Sequence, residues 1–260
     1  MTVFPSRFRL FRTLASLGLP LLTWLLLVPT EAVSRPRESA DEPRTVEVLR
    51  SLRGNPLAPD EIVRGRQVAD SSDQIKRARV LAATLPRPPR LRLLLQDVHP
   101  LYTQRHIEAK NADPQSRRAE VFYFNYATNE VIQTVVNLNS NTVQETQVAS
   151  GVANHPFFSR AEIKAALQLV FEHPQLGPSL RTAYREITGQ SLTDVSQLEE
   201  AQGGVFYPAS AARTPLGNIT ADCAVDRCMQ LFVPIGDLFI DMSKLVVDLS
   251  TGEVLGSISV

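Results

Sequence analysis

The chain has 260 residues, of which 43% are hydrophobic, which is enough apolar material for the cores of two small globular domains. Its 27 basic and 27 acidic residues give a formal net charge of zero. A nucleic-acid-binding surface needs clustered positive charge, whereas the arginine-rich spots at residues 87–92 and 117–118 are short, so we expect these arginines to be solvated surface residues.

Residues 1–34 have the pattern of a secretory signal peptide. Three arginines precede an apolar core at residues 14–28, and the small residues of Ala32-Val33-Ser34 offer a cleavage site. Pro20 and the short length of the core argue against a stable membrane span, which needs about 20 uninterrupted apolar residues. We therefore expect a secreted or periplasmic protein. The alternative is a protein anchored by an uncleaved signal.

Residues 35–55 are polar and contain several prolines, which predicts a flexible linker. A first α+β domain is expected at residues 56–152. It begins with a helix, because Asp60 and Glu61 are suited to the first turn and its exposed amides. The helix is expected to continue, with a break near Ser71-Ser72, until the prolines that follow Leu85.

The rest of this domain has the pattern of an antiparallel meander. Residues 91–98 are apolar and short, which favours a strand over a helix. Residues 118–126 alternate with apolar side chains on both faces, which predicts a central strand with a partner on each side. Residues 131–138 and 142–149 form a hairpin around a polar turn.

A second α+β domain, residues 153–260, has the same order of elements. Ser159 and Glu162 form a capping box, and the apolar residues behind them recur at helical spacing until His173-Pro174. A shorter helix is expected from Pro178 to Gly189. Four strands complete the domain at residues 203–207, 229–233, 244–249 and 254–260.

Two hairpin segments are near-copies of each other. Val135-Val136-Asn137-Leu138 and Val246-Val247-Asp248-Leu249 are each followed by small polar residues and then by another valine. Their starting positions differ by 246 − 135 = 111 residues, about the length of one small domain. The sequence therefore predicts an α+β fold of two tandem domains, each with a helix packed on a four-stranded antiparallel sheet.

These segments resemble the small N-terminal domains of copper amine oxidases, which are similar to cystatin in topology and occur in tandem. The likeness covers roughly residues 55–260. It rests on the helix start, on the residues before the central strand, and on the two hairpins: Pro56-Leu57, Asp60-Glu61-Ile62, Arg117-Arg118-Ala119-Glu120-Val121, Asn129-Glu130, Pro156, Ala161-Glu162-Ile163 and the Val-Val segments.

The catalytic signature of that family is not found in this sequence. In the family, a C-terminal β-sandwich supplies three histidines to copper, two of them as a His-x-His pair, and a tyrosine of an Asn-Tyr-(Asp/Glu) motif becomes the quinone. No His-x-His pair occurs here, and Asn125-Tyr126-Ala127 lacks the carboxylate. We therefore expect a non-catalytic chain without cofactor or metal, connected with copper and quinone by family association only, and we expect Tyr126 to be a packed strand residue.

The four histidines do not have a metal-binding spacing. Three of them precede a proline, which favours extended or turn backbone, and the fourth stands alone. We expect loop and turn residues rather than ligands at His99, His155 and His173, and an isolated residue at His106.

Cys223 and Cys228 are the only cysteines. In an exported protein this pair predicts a disulfide that closes a small loop before the strand at residue 229. The alternatives are two free thiols or a redox pair, although a redox pair favours the closer Cys-x-x-Cys spacing.

The sequence thus predicts an exported, non-catalytic binding or regulatory protein that contacts a protein partner through an exposed sheet edge or face. One alternative is an accessory subunit of a copper- and quinone-dependent primary amine oxidase system, paired with a separate catalytic chain. Another is a cystatin-like protease inhibitor, since residues 147–151 resemble the Gln-x-Val-x-Gly loop of cystatins, although the valine is one place early. We expect neither nucleic-acid binding nor a membrane span after signal cleavage.

Overall fold

The elements begin with a pair of helices separated by a sharp break. The computed structural model describes residues 55–106, 117–207 and 222–258, all within one compact unit spanning residues 43–260. The predicted signal peptide and nearly all of the predicted linker lie outside the described residues. Helices α1 (Pro59–Asp70) and α2 (Asp73–Thr84) flank Ser71-Ser72, so the break occurs where the sequence predicts it.

The next element differs from the prediction. Residues 91–94 belong to a short helix, α3 (Pro89–Leu94), and not to a strand. Proline is favoured at the first position of a helix, where its fixed φ is helical and no amide donor is required, and Pro89 occupies this position. The apolar run therefore divides, and the strand that was expected here begins only at Val98.

Four antiparallel strands form the first sheet in the order β1-β2-β3-β4. They are β1 (Val98–Arg105), β2 (Arg118–Asn125), β3 (Glu130–Asn137) and β4 (Thr142–Ser150). The prediction of a central strand with two partners is confirmed by β2. One face of this sheet packs on α1 and α2 through a core that includes Ala69, Ile75, Ala82, Val121, Tyr123 and Val136.

The second half begins with the capped helix α4 (Arg160–Glu172) and with α5 (Leu176–Thr188), which ends at Gly189 in a left-handed conformation. The second sheet has the order β5-β6-β8-β9, and β7 pairs with β6. Its strands are β5 (Gln202–Val205), β6 (Cys228–Ile235), β7 (Leu238–Ile240), β8 (Leu245–Asp248) and β9 (Val254–Gly256). The three-residue strand β7 was not predicted.

The two halves share a hydrophobic core. Residues from the outer face of the first sheet and from α3 pack with residues of α4, α5 and the second sheet. The shared core includes Leu91, Phe124, Tyr126, Leu169, Leu180, Met229 and Val247. The fold is therefore a mixed α+β arrangement in which strands β2 and β3 of the first sheet contribute buried residues on both faces.

The two near-copy hairpin segments end β3 and β8 in the same way. Asn137 Oδ1 accepts hydrogen bonds from the backbone amides of Asn139 and Ser140, at 2.9 and 3.1 Å. Asp248 Oδ1 accepts from the amides of Ser250 and Thr251, at 2.7 and 3.2 Å. Each side chain thus organises the turn that follows its strand.

None of the helices in the described ranges has the length and apolar character needed to span a bilayer.

Candidate functional site

A polar network is buried between the two halves, and its centre is Glu162. This residue lies in the first turn of α4, where its carboxylate accepts a hydrogen bond from the Ser159 amide at 2.6 Å. The Glu162 amide donates in return to Ser159 Oγ at 3.2 Å. The capping box predicted from the sequence is therefore confirmed. Its glutamate, however, is completely buried, because the first sheet covers this end of the helix.

Arg227, the residue immediately before β6, pairs with Glu162. Its Nε donates to Glu162 Oε1 at 2.6 Å, and both side chains are fully shielded from solvent. The guanidinium also donates to the backbone oxygens of Pro156 and Phe157, at 3.0 and 3.3 Å. It lies against the aromatic ring of Phe158, at 4.1 Å from the ring centroid. A buried charge of this kind needs such partners because its desolvation is costly.

Tyr126 extends the network to the first sheet. Its hydroxyl donates to Glu162 Oε1 at 2.6 Å, and the guanidinium of Arg87 lies over its ring at 4.4 Å. Burial raises the pKa of Tyr126 well above the usual value, and the negative charge of Glu162 raises it further. Tyr126 is thus buried as expected, but it lies just beyond the end of β2 and is hydrogen-bonded across the two halves.

The network keeps Glu162 ionised. Burial alone would raise the pKa of this carboxyl, but the charge of Arg227 and the hydrogen bonds from Arg227 and Tyr126 outweigh it, so the pKa lies below the ordinary value. The ion pair therefore persists at neutral pH.

Two histidines border the network. His99 lies within β1, so the prediction that it is a loop or turn residue was wrong, and its Nε2 is 3.3 Å from Ser159 Oγ. His155 lies edge-on to the ring of Phe124. Burial lowers the pKa of both imidazoles; in His155 the positive charge of Arg227 adds to it, and the pKa falls to about 4. Both rings are therefore neutral at physiological pH.

The other two histidines serve local structure. His173 caps the end of α4, and its Nδ1 accepts hydrogen bonds from the amides of Gln175 and Leu176. This agrees with the predicted turn role. His106, which the sequence shows as isolated, lies 2.6 Å from a carboxylate oxygen of Glu120 through its Nδ1.

A corresponding ion pair occurs in the first half. Arg117 precedes β2 as Arg227 precedes β6, and it makes two hydrogen bonds to Glu61, at 2.9 and 2.7 Å. Its guanidinium also donates to the backbone oxygen of Pro56 at 2.9 Å, as that of Arg227 does to Pro156. These hydrogen bonds lower the pKa of Glu61 to about 2. The Glu61 and Arg117 side chains each remain 16% exposed.

The expectation that the arginine-rich spots are solvated was wrong for Arg87 and Arg117. The guanidinium of Arg87 is buried, and it donates to the backbone oxygen of Leu95 and to Asp97. Sequence reasoning also missed both Arg–Glu pairs, which join residues 56 and 65 positions apart. The signal that could have revealed them is the repeated order of a glutamate in the first turn of a helix and an arginine just before a strand.

The disulfide between Cys223 and Cys228 is present, with a Cα–Cα distance of 5.4 Å, as the sequence predicts. Both cysteines are buried and pack with Phe206 and Val246. The closed loop contains Arg227, so the bond restrains the segment that carries this arginine to Glu162. The alternative of two free thiols was therefore wrong.

Comparison with known proteins does not assign the chain to a family. Neither the protein-family models nor the curated proteins compared with the chain match it. Within residues 55–106, 117–207 and 222–258, no group of three or more His, Cys, Asp or Glu side chains is placed to hold a metal ion. These residues do not fit the three-histidine copper centre of the amine oxidases, and Tyr126 is bonded to Glu162. The arrangement is suited to joining the two halves.

Proposed function

We propose that this chain is an exported, non-catalytic binding or regulatory protein. It is built from two tandem cystatin-like domains, at residues 56–152 and 153–260, of the type found at the N terminus of copper amine oxidases. The duplication is supported by the two Arg–Glu pairs, since each joins the first turn of a helix to the residue before the second strand of its sheet. The matching turns after Asn137 and Asp248 support it as well.

The observation that carries the binding function is the exposure of β4. This strand of nine residues forms one edge of the first sheet, and every residue in it is exposed or half-buried. An exposed sheet edge offers unpaired backbone groups to another chain. The polar groups of the buried network, by contrast, are hydrogen-bonded to each other within the protein: Glu162 accepts hydrogen bonds from Arg227 and Tyr126.

The function is tested by covalent cross-linking of the exported protein in its own extracellular fraction, followed by mass spectrometry. We expect a defined protein partner in constant ratio to the chain. A partner that carries its own copper centre would identify the accessory-subunit alternative.

A separate assay tests the absence of catalysis. The purified protein with added copper is given primary amines, and the peroxide that forms is measured. We expect no peroxide, and sustained amine-dependent turnover would overturn the proposal.

The inhibitor alternative has a separate test. The segment that resembles the cystatin loop lies mainly in β4, at residues 147–150, and continues to Gly151, which has a positive φ. Papain would be assayed with increasing amounts of the purified protein. We expect no inhibition, and inhibition at a one-to-one ratio would favour the inhibitor over a regulatory binding protein.

A further inference from the structure

Strand β4 has few of the features that usually protect a sheet edge. Such edges are blunted by proline, by charged side chains such as lysine, by short length or by a β-bulge. β4 contains neither proline nor lysine, and its only charged residue is Glu145. It has one β-bulge, at Gln144, beyond which Glu145 to Ser150 pair with β3 in regular register. Among the described strands at sheet edges, β1 contains Pro100 and is buried over its first half, whereas β5 and β9 have four and three residues.

The side chains of β4 continue rows that cross the first sheet. On the face turned to the helices, Thr146 is paired with Thr134, and their hydroxyl oxygens are 3.5 Å apart. On the opposite face, Val135 lies between Glu120 and Glu145. Residues directly opposite each other on neighbouring strands interact. Thr146 and Glu145 would therefore select the side chains that lie opposite them on an added strand.

A groove lies beside this edge. It has a volume of about 440 Å³ and runs between β4 and the junction of α1 and α2. Val68, Asp73, Val143 and Thr146 are among its lining residues. It opens on the helix-facing side of the sheet, so side chains of an added strand that point to this side would enter it.

We propose that β4 accepts an antiparallel fifth strand from a protein partner. The segment is extended and free of proline, with Lys or Arg opposite Glu145 and Thr or Val opposite Thr146. The inference rests on the proposed binding function and narrows it to one edge and one partner chemistry. Backbone hydrogen bonds give the affinity, and the cross-strand charge pair gives the selectivity.

Charge argues against a second copy of the chain as the occupant. β4 contains no basic residue, so two paired β4 strands would leave both Glu145 carboxylates without a cation opposite. Glu145 Oε1 instead accepts a hydrogen bond from the side-chain Nε2 of Gln147 on its own strand, at 2.7 Å. A cationic side chain from another protein satisfies this position better.

The test uses the full chain and two synthetic peptides that differ only at the centre. One has the sequence Thr-Val-Thr-Lys-Thr-Val-Thr with blocked ends, and in the other a glutamate replaces the lysine. Binding is measured by titration, and the site is located by amide hydrogen exchange. We expect the lysine peptide to bind about threefold more tightly, in keeping with the size of cross-strand charge effects. We also expect the outward-facing amides of β4 to gain protection.

Two variants make the test specific. Glu145→Lys should reverse the preference, so that the glutamate peptide binds more tightly. Asp237→Lys, an exposed acidic position in the turn between β6 and β7, should leave the wild-type preference unchanged. Circular dichroism establishes that both variants are folded.

The inference is overturned if the two peptides bind equally, if protection appears elsewhere, or if β4 is already protected in a dimer seen by sedimentation without peptide. These results would leave the binding function in place as long as a cross-linked partner is recovered. Conversely, amine-dependent turnover would overturn the proposed function even if β4 bound the lysine peptide.

Discussion

Glu162 and Arg227 are shielded completely from solvent, whereas the corresponding Glu61 and Arg117 keep part of their surface exposed. The difference arises because the first sheet covers the N-terminal end of α4, so that Tyr126 reaches Glu162. A buried pair contributes little net stability compared with apolar residues, but the loss of one partner leaves an uncompensated charge in the interior. The two pairs should therefore respond differently to the same substitution.

Glu162→Gln removes the negative charge and keeps the shape. We expect it to lower the free energy of unfolding by about 3–5 kcal/mol, because Arg227 is then buried without a counter-ion. The matched control is Glu61→Gln, for which solvent partly compensates Arg117, and we expect a loss of about 1 kcal/mol. Urea denaturation measures both. Equal losses would contradict this explanation.

His155 makes stability depend on pH. Its pKa falls from the ordinary value of 6.5 to about 4 in the folded state, chiefly through burial. Between these pH values the unfolded chain binds a proton at His155 and the folded chain does not. The free energy of unfolding is therefore highest above about pH 6.5 and decreases as the pH falls toward 4. The difference of 2.5 pKa units corresponds to about 3 kcal/mol.

We expect His155→Phe to reduce the loss of stability between pH 6.5 and pH 4, measured by urea denaturation at a series of pH values. The remaining loss includes the contribution of His99, whose pKa is also lowered by burial. Above pH 7 His155 is neutral in both states, so the curves of the variant and the wild type should run parallel there. Parallel curves over the whole range would mean that His155 is not the titrating group.

At the scale of the elements, α1 approaches the first sheet closely at Gly65. A β-carbon added at this position would lie 3.2 Å from the β-carbon of Ala119 and 3.5 Å from a methyl of Leu138. The glycine therefore sets the distance between the helix and β2. In the second sheet, a β-carbon added at Gly204 would meet nothing within 4 Å.

We expect Gly65→Val to lower the free energy of unfolding by about 1–3 kcal/mol, because overpacking forces α1 away from the sheet. Gly204→Ala should change it by less than about 0.5 kcal/mol. Thermal and urea unfolding of both variants measure the difference. If Gly65→Val leaves the free energy of unfolding unchanged, α1 can shift away from the sheet without loss of stability.

The elements also show how local the sequence signals are. The capping box at Ser159, the break at Ser71-Ser72 and the turns after Asn137 and Asp248 were predicted correctly, since each depends on residues a few positions apart. The helix α3 was missed because an apolar run of this length has no clear period. β7 was missed because three residues are too few to show the alternation that identifies a strand.

For the whole molecule, the shared core joins the two halves in one folding unit. Phe124 belongs to β2 of the first half, is completely buried, and contacts the guanidinium of Arg227 from the second half at 4.8 Å. Because its ring packs with residues of both halves, removing it creates a cavity that both halves line. The proposed tandem domains should therefore not unfold independently.

We expect Phe124→Ala to lower the free energy of unfolding by about 3–5 kcal/mol. Amide hydrogen exchange should show faster exchange both in β3 and in β8, with a single cooperative transition in urea. Loss of protection confined to β3 would show that the halves unfold separately. Phe157→Ala is the matched control: this side chain is 81% exposed, so the change should have little effect.

The sequence by itself determined the α+β class, most helices and hairpins, and the cysteine pairing, because spacing, caps and turn residues act over short distances along the chain. Only the tertiary structure decided that Glu162, Arg227 and Tyr126 meet, that Arg87 and His99 are buried, and that β4 is an edge strand among the described residues. The physical reason is that burial depends on what covers a residue. Here, the element that covers the start of α4 is a sheet from the other half of the chain.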